Sequence, residues 1–244
     1  NDKQNKNFAD QYRFFFFQTL IIVVETGGKM SNTSSLPPYL VKRYKTWQTG
    51  KFEENKLRYK QLAEEGQHPE AMVISCCDSR VHATAIFGSE TGEFFIHRNI
   101  ANLVPLYNPD GEHHGTSAAI EYAVTVLKVP HLIVLGHSNC GGVNACHKMC
   151  SGNAPELKEK SSFIGQWIEI LRPGYDRVQH IENPENQIAA LEKEGVILSL
   201  ENLMSFPFVK AAVEHGSLSL HGLWTDIGEG TLFVYNGTSF EPVL

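Results

Sequence analysis

Two short stretches of this chain gather residue types that do chemistry: Cys76-Cys77-Asp78-Ser79-Arg80, and Gly136-His137-Ser138-Asn139-Cys140-Gly141-Gly142. Cys76, His137 and Cys140 make a Cys₂His set. Two thiolates and an imidazole form a catalytic zinc pattern, because three protein donors leave the fourth corner of the metal to water. The His-x-x-Cys spacing lets one loop grip an ion through both side chains. Asp78 and Arg80 add a carboxylate beside a fixed cation, which favours the ionised acid. Such a carboxylate is able to accept a hydrogen bond from water on the metal and aim it. Either stretch alone is short enough to arise by chance, but each directly follows an apolar run, and together they make a strong pattern. The plainer alternatives are three unconnected core residues and a purely structural Asp78–Arg80 ion pair.

The apolar runs are Ala71 to Cys76 (AMVISC) and His131 to Gly136 (HLIVLG), both of strand length and suited to burial on two faces. Gly92 to Arg98 (GEFFIHR) reads as another strand. Gly115 to Leu127 has helical apolar spacing, with Thr116 or Ser117 near the cap position. A helix begins at Gly141, where Gly141 and Gly142 permit a tight turn and the helix dipole favours the thiolate of Cys140. Asn183 to Ser205 is mostly helical, and Phe208 to His215 is a short helix. Leu218 to Trp224 and Thr231 to Tyr235 are late strands, the last an edge. Upstream, Pro38 to Glu65 reads as two helices broken at Gly50, and Gly66-Gln67-His68-Pro69 stops the second. Strands alternating with helices predict right-handed crossovers. The expected fold class is α/β: a mainly parallel central sheet flanked by helices, with an N-terminal helical arm and a late antiparallel edge strand. Ligands bind at the carboxyl ends of parallel strands, so both chemical stretches should meet at one edge of the sheet.

C-x-D-x-R followed some sixty residues later by H-x-x-C-G-G resembles the β-class carbonic anhydrases. HRNIANLVP (His97 to Pro105), AAIEYAV (Ala118 to Val124) and the order of elements extend the likeness, closely over Gln67 to Val143 and loosely beyond. The resemblance implies one Zn²⁺ per subunit on Cys76, His137 and Cys140, an Asp78–Arg80 catalytic dyad, and reversible hydration of carbon dioxide to bicarbonate by zinc-bound hydroxide. It further implies a small apolar substrate pocket lined by Gln67, Phe95 and Tyr122, with Gly141 beside it, assembled across a dimer or higher even oligomer. Bicarbonate-regulated members carry a tryptophan where this chain has Val73, which implies an open, unregulated site of the plant-like kind. Cys77 stands where serine is usual. Two thiolates cancel the formal charge of the metal, so water should be acidified less than in a three-histidine site.

Rival functions fit less well. The same fold and metal could act on carbon disulfide or carbonyl sulfide. A cysteine hydrolase built on Cys140 lacks the C-x₅-R phosphate loop: Cys146 holds the arginine position after Cys140, and His82 holds it after Cys76. A non-catalytic zinc module would need a fourth protein ligand, and Asp78 is tied to Arg80. Cys146 and Cys150 lie at i, i+4 around His147; a second metal site is conceivable there, but plain helix-face packing is preferred. His97 and His131 read as structural, and His113-His114 as an exposed loop pair able to pass protons weakly.

The 21 basic and 27 acidic residues give a net charge of −6 with no basic run, which argues against a nucleic-acid partner. Five cysteines crowded between positions 76 and 150 make a poor disulfide framework and fit a reducing, cytoplasmic setting. Phe14 to Val24 is apolar but too short to span a membrane as a helix. Residues 1–29 are expected to be a disordered or spurious leader, or else a targeting segment for an organelle, ahead of a single domain over 30–244 that begins at Met30.

Overall fold

The computed structural model describes residues 34–111 and 114–243; the expectations for residues 1–29 and for His113 lie outside the described residues. Contacts divide the chain into two units, the first ending at Lys56. In that unit α1 (Pro38–Trp47) starts on a proline, whose missing N–H costs nothing at a helix start. It runs on through a π-helical turn, Gln48–Phe52. Gly50 therefore sits inside a widened turn and does not end the helix.

The second unit begins within α2 (Lys56–Glu65), closed by Gly66 in the left-handed conformation at φ +85°. There follow β1 (Ala71–Cys76), α3 (Ala83–Ile86), β2 (Phe94–Asn99), α4 (His114–Glu121), β3 (His131–His137) and α5 (Gly141–Cys150). Then come α6 (Phe163–Ile168), α7 (Arg172–Val178), α8 (Pro184–Leu203), α9 (Pro207–Glu214), β4 (Ser219–Thr225), β5 (Leu232–Tyr235) and β6 (Phe240–Pro242). The strands form one sheet in the order β2-β1-β3-β4-β5-β6. β1 to β4 are parallel, and β5 and β6 are antiparallel.

All six residues of β1 are buried, as its unbroken apolar run requires. Alternate side chains leave by opposite faces. Met72, Ile74, Leu132 and Val134 pack with Ile120 of α4, Val196 and Leu203 of α8 and Val209 of α9. Val73 and Leu135 pack instead with Leu223, Val81 and Ala83. Each fully buried side chain of this kind contributes about 1.5–3 kcal/mol. A third cluster, including Ala101, Val143, Ile168, Leu171 and Leu191, lies around Cys76 and Cys140.

Helix α8 seats on the sheet over two glycines. A Cβ at Gly136 would lie 2.6 Å from Val196, and one at Gly222 would lie 2.8 Å from Leu200, one helical turn further on. Its start is fixed by Asn183, whose side chain accepts from the amide of Asn186 at 2.9 Å.

The structure departs from the sequence expectations in several further places. The edge is β6, a three-residue strand, and not β5, which is paired on both sides. Helix α4 starts at His114, so His114 is helical, and Thr116 and Ser117 fall inside the first turn instead of capping it. Thr116 bonds the ring of His97 at 3.0 Å. Helix α4 then opens into a π-helical turn, Tyr122–Leu127, stopped by Lys128 at φ 54°. Helices α6 and α7 fall in a stretch where no element was expected, and Pro173 occupies the start of α7. No single described helix is long and apolar enough to cross a membrane.

Candidate metal centre and active site

Parallel pairing of β1 with β3 sets Ser75 opposite Leu135, so Cys76 and His137 emerge at the carboxyl ends of neighbouring strands. The loop after β3 then folds back: Asn139 takes a left-handed backbone at φ 56°, and Cys140 becomes the N-cap of α5. The tight turn thus falls on Asn139 and not, as expected, on the two glycines. Gly142 serves close approach instead, since a Cβ there would lie 2.6 Å from Ile100 and 3.0 Å from Ala101. Gly141, the first residue of α5, would direct a Cβ into open space.

The result is a buried cluster in which the Cys76, His137 and Cys140 ligand atoms all lie within 4.8 Å of one another. The two sulfurs are 3.9 Å apart. Tetrahedral zinc with metal–sulfur bonds of about 2.3 Å would set them roughly 3.8 Å apart. His137 Nδ1 lies 2.9 Å from the carbonyl of Ser138, to which it donates, leaving a lone pair on Nε2. That Nε2 is buried without a hydrogen-bond partner among the described residues. A buried acceptor without a donor is costly, and a metal bound by the neighbouring sulfurs satisfies it. The donor set fits Zn²⁺.

Electrostatics favour one thiolate of the two. The thiol of Cys140 stabilises the Cys76 thiolate against the cost of burial, with the amides of Asp78 and Ala101 adding to it, and its pKa falls to about 4. Cys140 is raised, because it is the donor to that thiolate and is itself buried; the amides of Val143 and Gly142 oppose the rise. A divalent cation removes this conflict by taking both sulfurs as thiolates.

Asp78 and Arg80 form a bidentate pair, with Nε on Oδ1 at 2.9 Å and Nη2 on Oδ2 at 2.7 Å. The Arg80 amide also bonds Oδ1 at 2.9 Å, and Nη2 reaches the carbonyl that Asn139 turns toward it at 3.0 Å. These bonds hold the Asp78 carboxyl well below the usual carboxylate range. Asp78 is not among the residues clustered as ligands. It stays beside the cluster, ionised and committed to Arg80.

Two residues escaped sequence reasoning. Arg98, at the end of β2, donates to the carbonyls of Cys76 at 2.8 Å, Asp78 at 2.6 Å and Val81 at 2.8 Å. It clips the whole loop that carries the first ligand and the dyad. Its signal was faint: an arginine one residue short of the strand end beside β1. Glu192 of α8 is buried and accepts from the Cys140 amide at 3.0 Å. Burial pushes its carboxyl up, against the opposing pull of that amide. Nothing in the sequence near Glu192 connects it to Cys140, 52 positions away.

The other expected residues supply no ligand atoms to this cluster. Phe95 and Tyr122 meet each other, with ring centroids 5.8 Å apart. Tyr122 is 44% exposed, and Gln67 is exposed in the segment between α2 and β1. His97 is structural, as expected, and its partner is Thr116. His131 pairs with His221 at 3.1 Å.

Comparison with known proteins gives one consistent answer. Residues 71–232 match the family model described as carbonic anhydrase. A relative named beta carbonic anhydrase 3, from Arabidopsis thaliana, is 39% identical over 188 residues, covering 76% of this chain and 71% of the relative. A carbonic anhydrase from Synechocystis sp. is 33% identical over 208 residues, covering 84% and 73%. Among solved structures, the β-carbonic anhydrase CcaA superposes with a TM-score of 0.75 at 32% identity, covering 84% of this chain and 91% of that one. A structure from a study of two tetrameric β-carbonic anhydrases of Sordaria macrospora superposes at 0.68 with 30% identity, covering 81% and 95%.

Proposed function

Because this chain belongs to the carbonic anhydrase family, and within it to the β class, we propose that it interconverts carbon dioxide and bicarbonate at a Zn²⁺ held by Cys76, His137 and Cys140. One observation carries the assignment of the metal: the buried, partnerless Nε2 of His137 beside two sulfurs 3.9 Å apart. Zinc bound there supplies a water-derived nucleophile near neutral pH.

The protein does the rest by positioning. Arg80 occupies both oxygens of Asp78, which keeps the carboxylate ionised and off the metal corner it could otherwise close. Asp78 thereby stays available as an acceptor that orients water for attack on carbon dioxide. Arg98 holds the carbonyls of Cys76, Asp78 and Val81 so that ligand and acceptor keep one geometry. The amino end of α5 faces Cys140 and offsets negative charge there. Gln67, Phe95 and Tyr122 serve as the substrate pocket once a second subunit covers them; the exposure of Gln67 and Tyr122 in a single chain and the tetrameric relatives support an oligomer. The cytoplasm suits five free thiols.

The test is zinc stoichiometry measured on purified protein together with carbon dioxide hydration, before and after a chelator. One zinc per chain and activity that disappears and returns with the metal are expected. Full activity in a zinc-free preparation would refute the reading.

A further inference from the structure

Helix α5 carries a second pair of thiols that the proposed active site does not use. Cys146 and Cys150 stand one turn apart with their sulfurs 3.9 Å from each other, the same separation as Cys76 and Cys140. That spacing suits two sulfurs on one ion, roughly 3.8 Å apart for metal–sulfur bonds of about 2.3 Å. It suits a direct disulfide poorly. Cβ atoms at i, i+4 of a helix lie about 5–6 Å apart, whereas a disulfide needs about 3.5–4.5 Å. The geometry therefore favours a bridging atom over an S–S bond.

Access is graded along the helix. Cys146 is fully buried in the cluster that contains Ile168 and Leu171, while Cys150, the last residue of α5, is half-buried. A ligand would meet Cys150 first and close on Cys146. The Cys146 thiol lowers the pKa of Cys150 against the cost of burial; the positive charge of Arg172 adds to the lowering, and the carboxylates of Glu169 and Asp176 oppose it. His147 between them does not cluster with the two sulfurs as a ligand, and its Nε2 lies 2.6 Å from Gln187. Among the described residues no third histidine, cysteine or carboxylate completes a ligand cluster here.

We propose that Cys146 and Cys150 form a second, non-catalytic dithiol site for a thiophilic centre that takes two protein sulfurs and brings its remaining ligand with it. A trivalent organoarsenical is the simplest such ligand. An aryl arsine oxide exchanges its oxygen for two sulfurs: two As–S bonds form, the As–O bond breaks, and both thiol protons leave with that oxygen as one water. Arsenic stays trivalent and nothing is oxidised.

The experiment uses the full chain loaded with zinc and titrated with phenylarsine oxide. Intact-mass measurement counts the adducts, and proteolytic mapping locates them. One arsenical on the peptide holding Cys146 and Cys150, with both thiols protected from alkylation, is expected. Cys146→Ser and Cys150→Ser should each weaken capture by about 10²–10⁴-fold, because the second thiol acts intramolecularly. Cys77→Ser should capture normally, and all three variants should retain carbon dioxide hydration. Mapping on the wild-type chain reads the site even where a variant folds poorly. Capture only at Cys76 and Cys140, or undiminished capture by either single variant, would overturn the proposal without touching the zinc assignment.

Discussion

Replacing Arg98 by methionine keeps an unbranched apolar stem and deletes the guanidinium. Three hydrogen bonds vanish, to the carbonyls of Cys76, Asp78 and Val81, all between 2.6 and 2.8 Å. A bond to a charged donor is worth about 1.5–3 kcal/mol net. The three share one donor group and the freed carbonyls regain some water, so the sum is not additive; a loss of about 3–5 kcal/mol is expected. For a chain of this size that corresponds to a fall in melting temperature of about 6–20 °C. The freed loop carries both Cys76 and Asp78, and a misplacement of about 1 Å costs roughly 10²-fold in rate. Thermal unfolding of the zinc-loaded variant and stopped-flow carbon dioxide hydration measure the two effects together. Arg98→Lys, which keeps the charge but loses the fork, should recover only part of each. An Arg98→Met protein with unchanged melting temperature and unchanged turnover would refute the idea that this residue holds the loop.

Other perturbations have equally definite expectations. Asp78→Asn should leave zinc content intact and reduce turnover by about 10²–10⁴-fold, read as metal analysis beside steady-state kinetics; unchanged turnover would remove Asp78 from the dyad. Gly222→Ala should destabilise by about 1–3 kcal/mol in denaturant unfolding, because the new methyl would lie 2.8 Å from Leu200 and 3.0 Å from Val196. Burial and the adjacent His131 lower the pKa of His221. Protons therefore bind the unfolded chain more readily, and that part of the stability is full above about pH 6.5 and lost as pH falls. His221→Gln should flatten the decline seen in unfolding curves taken on the acid side of neutrality; an equally steep decline would contradict this.

The parts of the fold most legible in the sequence were those with a single physical solution. AMVISC and HLIVLG read as strands suited to burial on both faces, and β1 and β3 occupy those runs. Because Cys76 ends one strand and His137 ends the other, parallel pairing alone brought them together. What escaped notice depended on three-dimensional coincidence. Arg98 acts through backbone carbonyls, which leave no trace in residue type. Glu192 reaches Cys140 only because Gly136 and Gly222 let α8 approach the sheet so closely. Helix α7 is only seven residues long and carries a proline and a glycine, and β6 is too short for alternation to show. The substrate-pocket residues came from family likeness; in one chain Phe95 and Tyr122 meet, while Gln67 stands exposed.

X-ray absorption at the zinc edge tests the centre most directly. The account predicts two sulfur neighbours at about 2.3 Å and two nitrogen or oxygen neighbours at about 2.0–2.1 Å. A shell of four sulfurs, or one with no sulfur, would contradict a metal held by Cys76, His137 and Cys140.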